Sequence, residues 1–187
     1  ENGATIDTYL SISAALSKKL QATKRLLDVG NGGVFDYDTA AIKEIVGLDL
    51  FLDDLPTDIN LPENVVMIQG SALDIPKELV NFDGVVIVML IHHLIGKTVA
   101  ESLGNIRQLL SEVHRVLEPG GSLIIMESCV PSWFFLFEKL VFLPASFVIE
   151  KTMKHPPTLV YTESVIRENL RDAGFIKIES EVIPKGK

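Results

Sequence analysis

A chain of 187 residues can bury one sizeable core and is short for two, and 47% hydrophobic with 22% charged residues is the composition of a folded globular protein. With 25 acidic against 17 basic residues and a formal net charge of −8, it lacks the clustered positive charge that nucleic-acid backbones require, so no nucleic-acid partner is expected. The single cysteine, Cys129, excludes an intramolecular disulfide, no residue spacing suits a metal site, and a cytoplasmic location is the expectation.

The opening ENGATIDTYL lacks the basic-then-apolar order of a signal peptide. Ile6, Tyr9, Leu10, Leu16 and Leu20 fall near helical spacing, which predicts an amphipathic helix over 5–21 covering one edge of the domain. Short apolar runs follow, with turn chemistry between them: RLLDVG from 25, EIVGLD from 44, VVMIQG from 65, GVVIVML from 84 and SLIIMES from 122. Their consecutive apolar positions suit parallel strands buried on both faces rather than strands with one wet face.

Between the last two runs, Ile106, Leu109, Leu110, Val113, Val116 and Leu117 predict a helix, with Glu118-Pro119-Gly120-Gly121 ending it. A later helix is predicted from Thr162, a candidate N-cap, through Val165, Ile166, Leu170 and Ala173 to Gly174, before a sixth strand run, FIKIESEVI. The alternation specifies a doubly wound α/β fold, mostly parallel, with helices on both faces. One domain is expected over 1–187: an N-terminal helix over 1–24, a core over 25–128, a hydrophobic insert over 129–160 and a late helix and strand over 161–187.

LLDVGNGGV is a buried strand entering a glycine-rich turn, where a backbone can approach a ligand that a side chain would repel. By itself this is as consistent with a bare strand-exit turn. About twenty residues later Asp49 ends the next strand run, a position from which a carboxylate can accept both hydroxyls of a ribose.

From this point the chain resembles the class I S-adenosylmethionine (SAM)-dependent methyltransferases, with a methyltransferase-11-like core and a small-molecule acceptor. GSALDIP at 70–76 is similar to the family's adenine loop, and FDGVVIVMLIHHL at 82–94 to its fourth strand and turn. LLSEVHRVLEPGGSLIIMES at 109–128 is similar to its helix, Pro-Gly-Gly turn and fifth strand, and YTESVIRENLRDAGF at 161–175 to its late helix. The resemblance implies SAM as cofactor and S-adenosylhomocysteine as product. Gly30, Asn31 and Gly32 would flank the methionine part, and Asp28 would hold the turn or the ligand's ammonium. Asp49 would bind the ribose, Leu50 would lie on the adenine, and Ser71, Ala72 and Leu73 would meet its edge. Val88 and Met89 would floor the site; for Leu50, Ala72 and Met89 plain packing explains the residue equally well.

The sequence also departs from the family. GGVFDYDTAAIKEIVGLD leaves about two helical turns before the second strand, Asp36 and Asp38 add negative charge beside the turn, and Ser71 stands where Asp is common. FLDDLPTDINLPEN, with two prolines, replaces the next expected helix.

Methyl transfer is an in-line displacement that needs alignment and sometimes a base. His93, with His92 beside it, follows the fourth strand and is the first candidate base; capping the next turn is their structural alternative. Glu127 ends the fifth strand, and His155 and Tyr161 are candidate pocket residues. The insert carries Trp133, Phe134, Phe135, Phe137, Leu140, Val141, Phe142 and Phe147, more than one buried helix face can hide. It is expected to supply an acceptor lid in which Trp133 and Phe137 touch a hydrophobic or aromatic small molecule, and it is also a candidate homodimer contact. Glu138, Lys139 and Pro144 interrupt the stretch Trp133 to Ile149, so no integral membrane span is expected. The alternative function is a catalytically inactive SAM-binding regulatory or interaction module. An NAD-dependent oxidoreductase fits less well, because the turn lacks G-x-G-x-x-G spacing.

Overall fold

The computed structural model describes residues 2–52, 60–140, 142 and 158–183. Its centre is a five-stranded sheet of β1 (Arg25–Val29), β2 (Glu44–Asp49), β3 (Val65–Gln69), β4 (Phe82–Val88) and β5 (Leu117–Met126). The order is β3-β2-β1-β4-β5 and every neighbouring pair is parallel. After β3 the chain crosses back over β2 and β1 to lay β4 on the far side of β1. The strand order therefore reverses between β1 and β4, and the crevice outside the strands' carboxyl ends at such a point is where α/β sheets bind ligands.

Side-chain alternation explains the uninterrupted apolar runs. Leu27, Val29, Val85 and Ile87 enter a core cluster with Ile106, Leu109, Leu110 and Val113 of α2 (Val99–Val116) and Ile166 of α4 (Glu163–Asp172). Leu26, Ile45 and Val86 point to the other face, against Leu16 and Leu20 of α1 (Asn2–Leu20). Both faces are covered, so a strand has no wet side to encode.

Local chemistry sets the helix ends. Thr98 caps α2 by accepting from the backbone N–H of Glu101 at 3.1 Å, and Thr162 caps α4 by accepting from that of Val165 at 3.2 Å. The end of α4 closes with Phe175 N–H donating to Leu170 O and Gly174 N–H to Arg171 O, both at 3.0 Å.

Five expectations are corrected. In the opening helix Leu16 and Leu20 are buried, but Tyr9 is half exposed, its hydroxyl donating to Asp36 at 2.7 Å, and Leu10 is exposed; the side chain of Ile6 lies outside the described residues. After the glycine turn the chain forms not two helical turns but one 3-10 turn, Thr39–Ala41, in which the Asp38 side chain accepts from Ala40 N–H. Glu118–Gly121 does not form a free turn after α2, because Leu117 is at once the helix's C-cap and the first residue of β5. Phe82 pairs with Leu117 and Gly84 with Ser122, so these residues are a bulge within the strand.

The fourth correction is FIKIESEVI, which adds no strand to the sheet. Ile176 and Val182 are exposed, and side chains of α4 hold the segment instead: Arg167 donates to Ile178 O at 3.0 Å and Ser180 donates to Glu163 at 2.7 Å. The fifth concerns the insert, where the chain is helical over 132–140, called α3 here. Phe135 and Phe142 are buried, while Trp133 and Phe137, expected to wall a pocket, are 71% and 56% exposed.

Candidate cofactor and acceptor site

The carboxyl ends of β1, β2 and β3 are tied to one another by backbone bonds. Gly30 N–H donates to Leu48 O at 2.7 Å, and Gly70 N–H donates to Asp49 O at 2.9 Å. The turn after β1 has φ of +74° at Gly30 and +57° at Gly32, left-handed values that glycine adopts without steric cost. A side chain at Gly32 would meet nothing within 4 Å, so open space lies over the turn there; one at Gly30 would press on Leu90 Cδ1 at 2.7 Å.

Asp49 is drawn to this turn. Its Oδ2 accepts from Gly32 N–H at 2.8 Å and its Oδ1 from Phe51 N–H at 2.9 Å. A carboxylate has about four acceptor positions, so two remain for a ligand's hydroxyls. Beside it, Leu50 and Phe51 are 51% and 62% exposed. Ser71 caps its own loop, Oγ accepting from Leu73 N–H at 3.1 Å, while Ala72 and Leu73 pack against the main core.

Asp28 lies under the turn on the α1 face and is almost wholly buried. Tyr37 hydroxyl donates to its Oδ2 at 2.7 Å. Burial pushes the Asp28 carboxyl up to about 7, against the lowering effect of the Tyr37 hydroxyl and the Asn31 amide. Asp28 Oδ1 and Asn31 Nδ2 are close but make no well-formed hydrogen bond. Tyr37, which the sequence reading did not single out, sits in the segment that holds no α-helix, and it packs in the α1-side cluster.

On the other side of the switch point, Val88 packs against the α1-side cluster. Met89 has φ +52°, uncommon for a residue other than glycine, and is held there by its N–H donating to Met126 O at 2.9 Å. Two residues on, a 3-10 turn, Ile91–His93, brings His92 Nδ1 to 2.9 Å from Glu127 Oε1. Glu127 also accepts from Ser128 N–H at 2.8 Å and is 3% exposed at the side chain. A carboxylate only accepts, so Nδ1 carries the hydrogen and Nε2 is the ring nitrogen able to take one.

His93, preferred over its neighbour from sequence, is not the residue paired with Glu127. Its ring packs against that of His92, centroids 4.1 Å apart and planes tilted by 43°, and partial burial, with His92 adding to it, lowers its pKa. The 158–162 segment closes this side: Leu159 N–H donates to His92 O at 3.1 Å and Val130 N–H to Tyr161 O at 3.0 Å. Tyr161, expected on a pocket wall, is fully buried against Phe135 with ring centroids 5.8 Å apart. Burial chiefly pushes its hydroxyl up to about 12, against the lowering effect of nearby Ser102, with which it makes no well-formed hydrogen bond. His155 lies outside the described residues.

A sequence model of the family described as "Methyltransferase domain" matches residues 27–125, more than half of the chain. No curated protein matches the chain at the level of sequence. Among solved structures it is similar to a methyltransferase candidate of Bacillus halodurans C-125, with 24% identity and a TM-score of 0.59 over 86% of this chain and 67% of that one. It is similar also to human N-acetylserotonin methyltransferase in complex with SAM, with 15% identity and a TM-score of 0.58 over 89% of this chain and 46% of the human one. A third is the methyltransferase candidate in a complex with the Haloferax volcanii Trm112 methyltransferase activator, with 16% identity and a TM-score of 0.57 over 92% of this chain and 71% of that one. At these identities the structures speak for the fold, and the family match speaks for the lineage: the chain belongs to the methyltransferase domain family and has the class I SAM-dependent methyltransferase fold.

Proposed function

We propose that this protein binds SAM and transfers its methyl group to a hydrophobic or aromatic small molecule. The observation that carries the reading is the Asp49 carboxylate, bonded to Gly32 N–H beside the open space over the glycine turn, at the sheet's switch point. The residues fit such a cofactor. Gly30, Asn31 and Gly32 take the methionine part, and Asp28, with an unsatisfied buried oxygen, receives its ammonium through the turn. Asp49 takes the ribose, Leu50 lies along the adenine, Ser71, Ala72 and Leu73 frame its edge, and Val88 and Met89 form the floor.

SAM supplies an electrophilic methyl group on a sulfonium. The protein's part is to align the acceptor and remove its proton. His92 Nε2 takes that proton, and Glu127 holds the ring and stabilises the imidazolium that forms; His93, packed beside His92, borders the same space. The described part of the insert borders the acceptor side, with Trp133 and Phe137 at its outer lip and Tyr161 behind it, and His155, the remaining candidate for that side, lies outside the described residues.

Calorimetric titration with SAM, S-adenosylhomocysteine and NAD tests the cofactor. Binding of the first two without the third is expected, and Asp49→Ala should weaken it by about 1.5–3 kcal/mol for each bond lost to a charged group. NAD binding alone would overturn the reading. SAM binding without transfer to any hydrophobic acceptor would instead assign the chain as an inactive SAM-binding module.

A further inference from the structure

On α3, Trp133, Leu136, Phe137 and Leu140 follow i, i+3, i+4, i+7 spacing and so form one stripe. A core-facing helix hides that stripe. Here the four residues are 71%, 59%, 56% and 75% exposed. The helix cannot roll to cover them, because its other side is committed: Phe135 is buried against Tyr161, and Phe142 is also buried. The Lys139 ammonium lies 5.6 Å from the centre of the Phe135 ring, which keeps the charge off the stripe.

We propose that this stripe seats the protein on the surface of a lipid bilayer. On the scale of aromatic side-chain areas the four residues expose on the order of 500 Å² of apolar surface. That falls short of the roughly 800 Å² per partner of a standard protein interface. A bilayer needs no complementary partner surface, and an amphipathic helix lying in its interface buries its apolar face whole. Among the described residues no helix is long and apolar enough to cross a membrane, and the stripe fits a helix lying in the plane of the interface.

Since α3 follows β5, whose end carries the Glu127–His92 pair, the contact puts the strands' carboxyl ends beside the bilayer. The proposal does not depend on methyl transfer, and an inactive protein would bind lipid equally.

Trp133 is the only tryptophan of the chain, so its emission reports the contact directly. Adding phosphatidylcholine vesicles should shift that emission to the blue, and the protein should float with the vesicles in a density gradient. A Leu136→Gln, Leu140→Gln double variant keeps the reporter and changes only exposed positions; it should melt as the parent does and bind vesicles at least tenfold more weakly. Unchanged emission and no flotation would overturn the proposal. Concentration-dependent dimers abolished by the same double variant, without vesicle binding, would give the stripe to a second copy of the chain.

Discussion

At the scale of single residues, the glycine turn separates two effects. Gly32→Ala adds a methyl group into open space at φ +57°, so its cost to folding is the left-handed backbone alone, about 1–2 kcal/mol. Gly30→Ala carries a similar backbone cost and must also move Leu90. Thermal unfolding should therefore show the Gly30 variant as the less stable, while calorimetry shows SAM affinity falling in the Gly32 variant although its fold is kept. Normal SAM affinity in Gly32→Ala would make the turn purely structural.

Asp28 makes a second prediction at this scale. Its carboxyl is raised by burial from an unfolded value near 4 to about 7, so between those values the folded protein holds a proton that the unfolded chain releases. Asp28's contribution to stability is thus whole below pH 4 and is lost as pH rises through 7. Asp28→Asn removes the titration and leaves an oxygen for Tyr37. Melting curves from pH 4 to 8 should show the variant losing less stability than the parent over that interval, and parallel curves would disprove the assignment.

At the scale of elements, α3 is a helix with one face in the core and the other outside, and it follows the strand whose end carries Glu127. If the insert closes over an acceptor, amide exchange in 132–140 should slow when S-adenosylhomocysteine and a hydrophobic acceptor are both bound, while exchange in β1 and β4 changes little. Equal protection in every state removes the lid reading and leaves α3 as a fixed wall. The neighbouring α2 behaves otherwise, because its Thr98 cap and a row of fully buried side chains from Ile106 to Val116 tie it to the sheet.

At the scale of the whole molecule, the two sides of the sheet are unequally built. One face is covered by α2 and α4, whereas the other relies on α1 together with Tyr37, Ile42 and the loop packing of Phe35 and Leu61. A ligand joining the ends of β1, β2 and β4 across the switch point should therefore stabilise the fold as a unit. At a hundred times its dissociation constant, S-adenosylhomocysteine adds about 2.7 kcal/mol. For a chain of this length that corresponds to a rise in Tm of roughly 5–10 °C, measurable by calorimetry, and NAD should produce none.

The sequence by itself determined the parallel sheet, its five strands, the helices α2 and α4, the Thr162 cap of α4, and the neighbourhood of Gly30, Gly32 and Asp49. These are local matters, read from which residues are apolar, which can cap and which tolerate a left-handed turn. Tertiary structure decided what depends on partners far apart in the chain. FIKIESEVI has the composition of a strand, but it is held by Arg167 and Glu163 and gains no ladder partner. His92 and His93 look alike in sequence, and only the approach of Glu127, 35 residues away, distinguishes them. The same holds for Tyr37 beneath the glycine turn and for the outward face of α3: burial and pairing belong to the packed chain, and spacing along the sequence does not contain them.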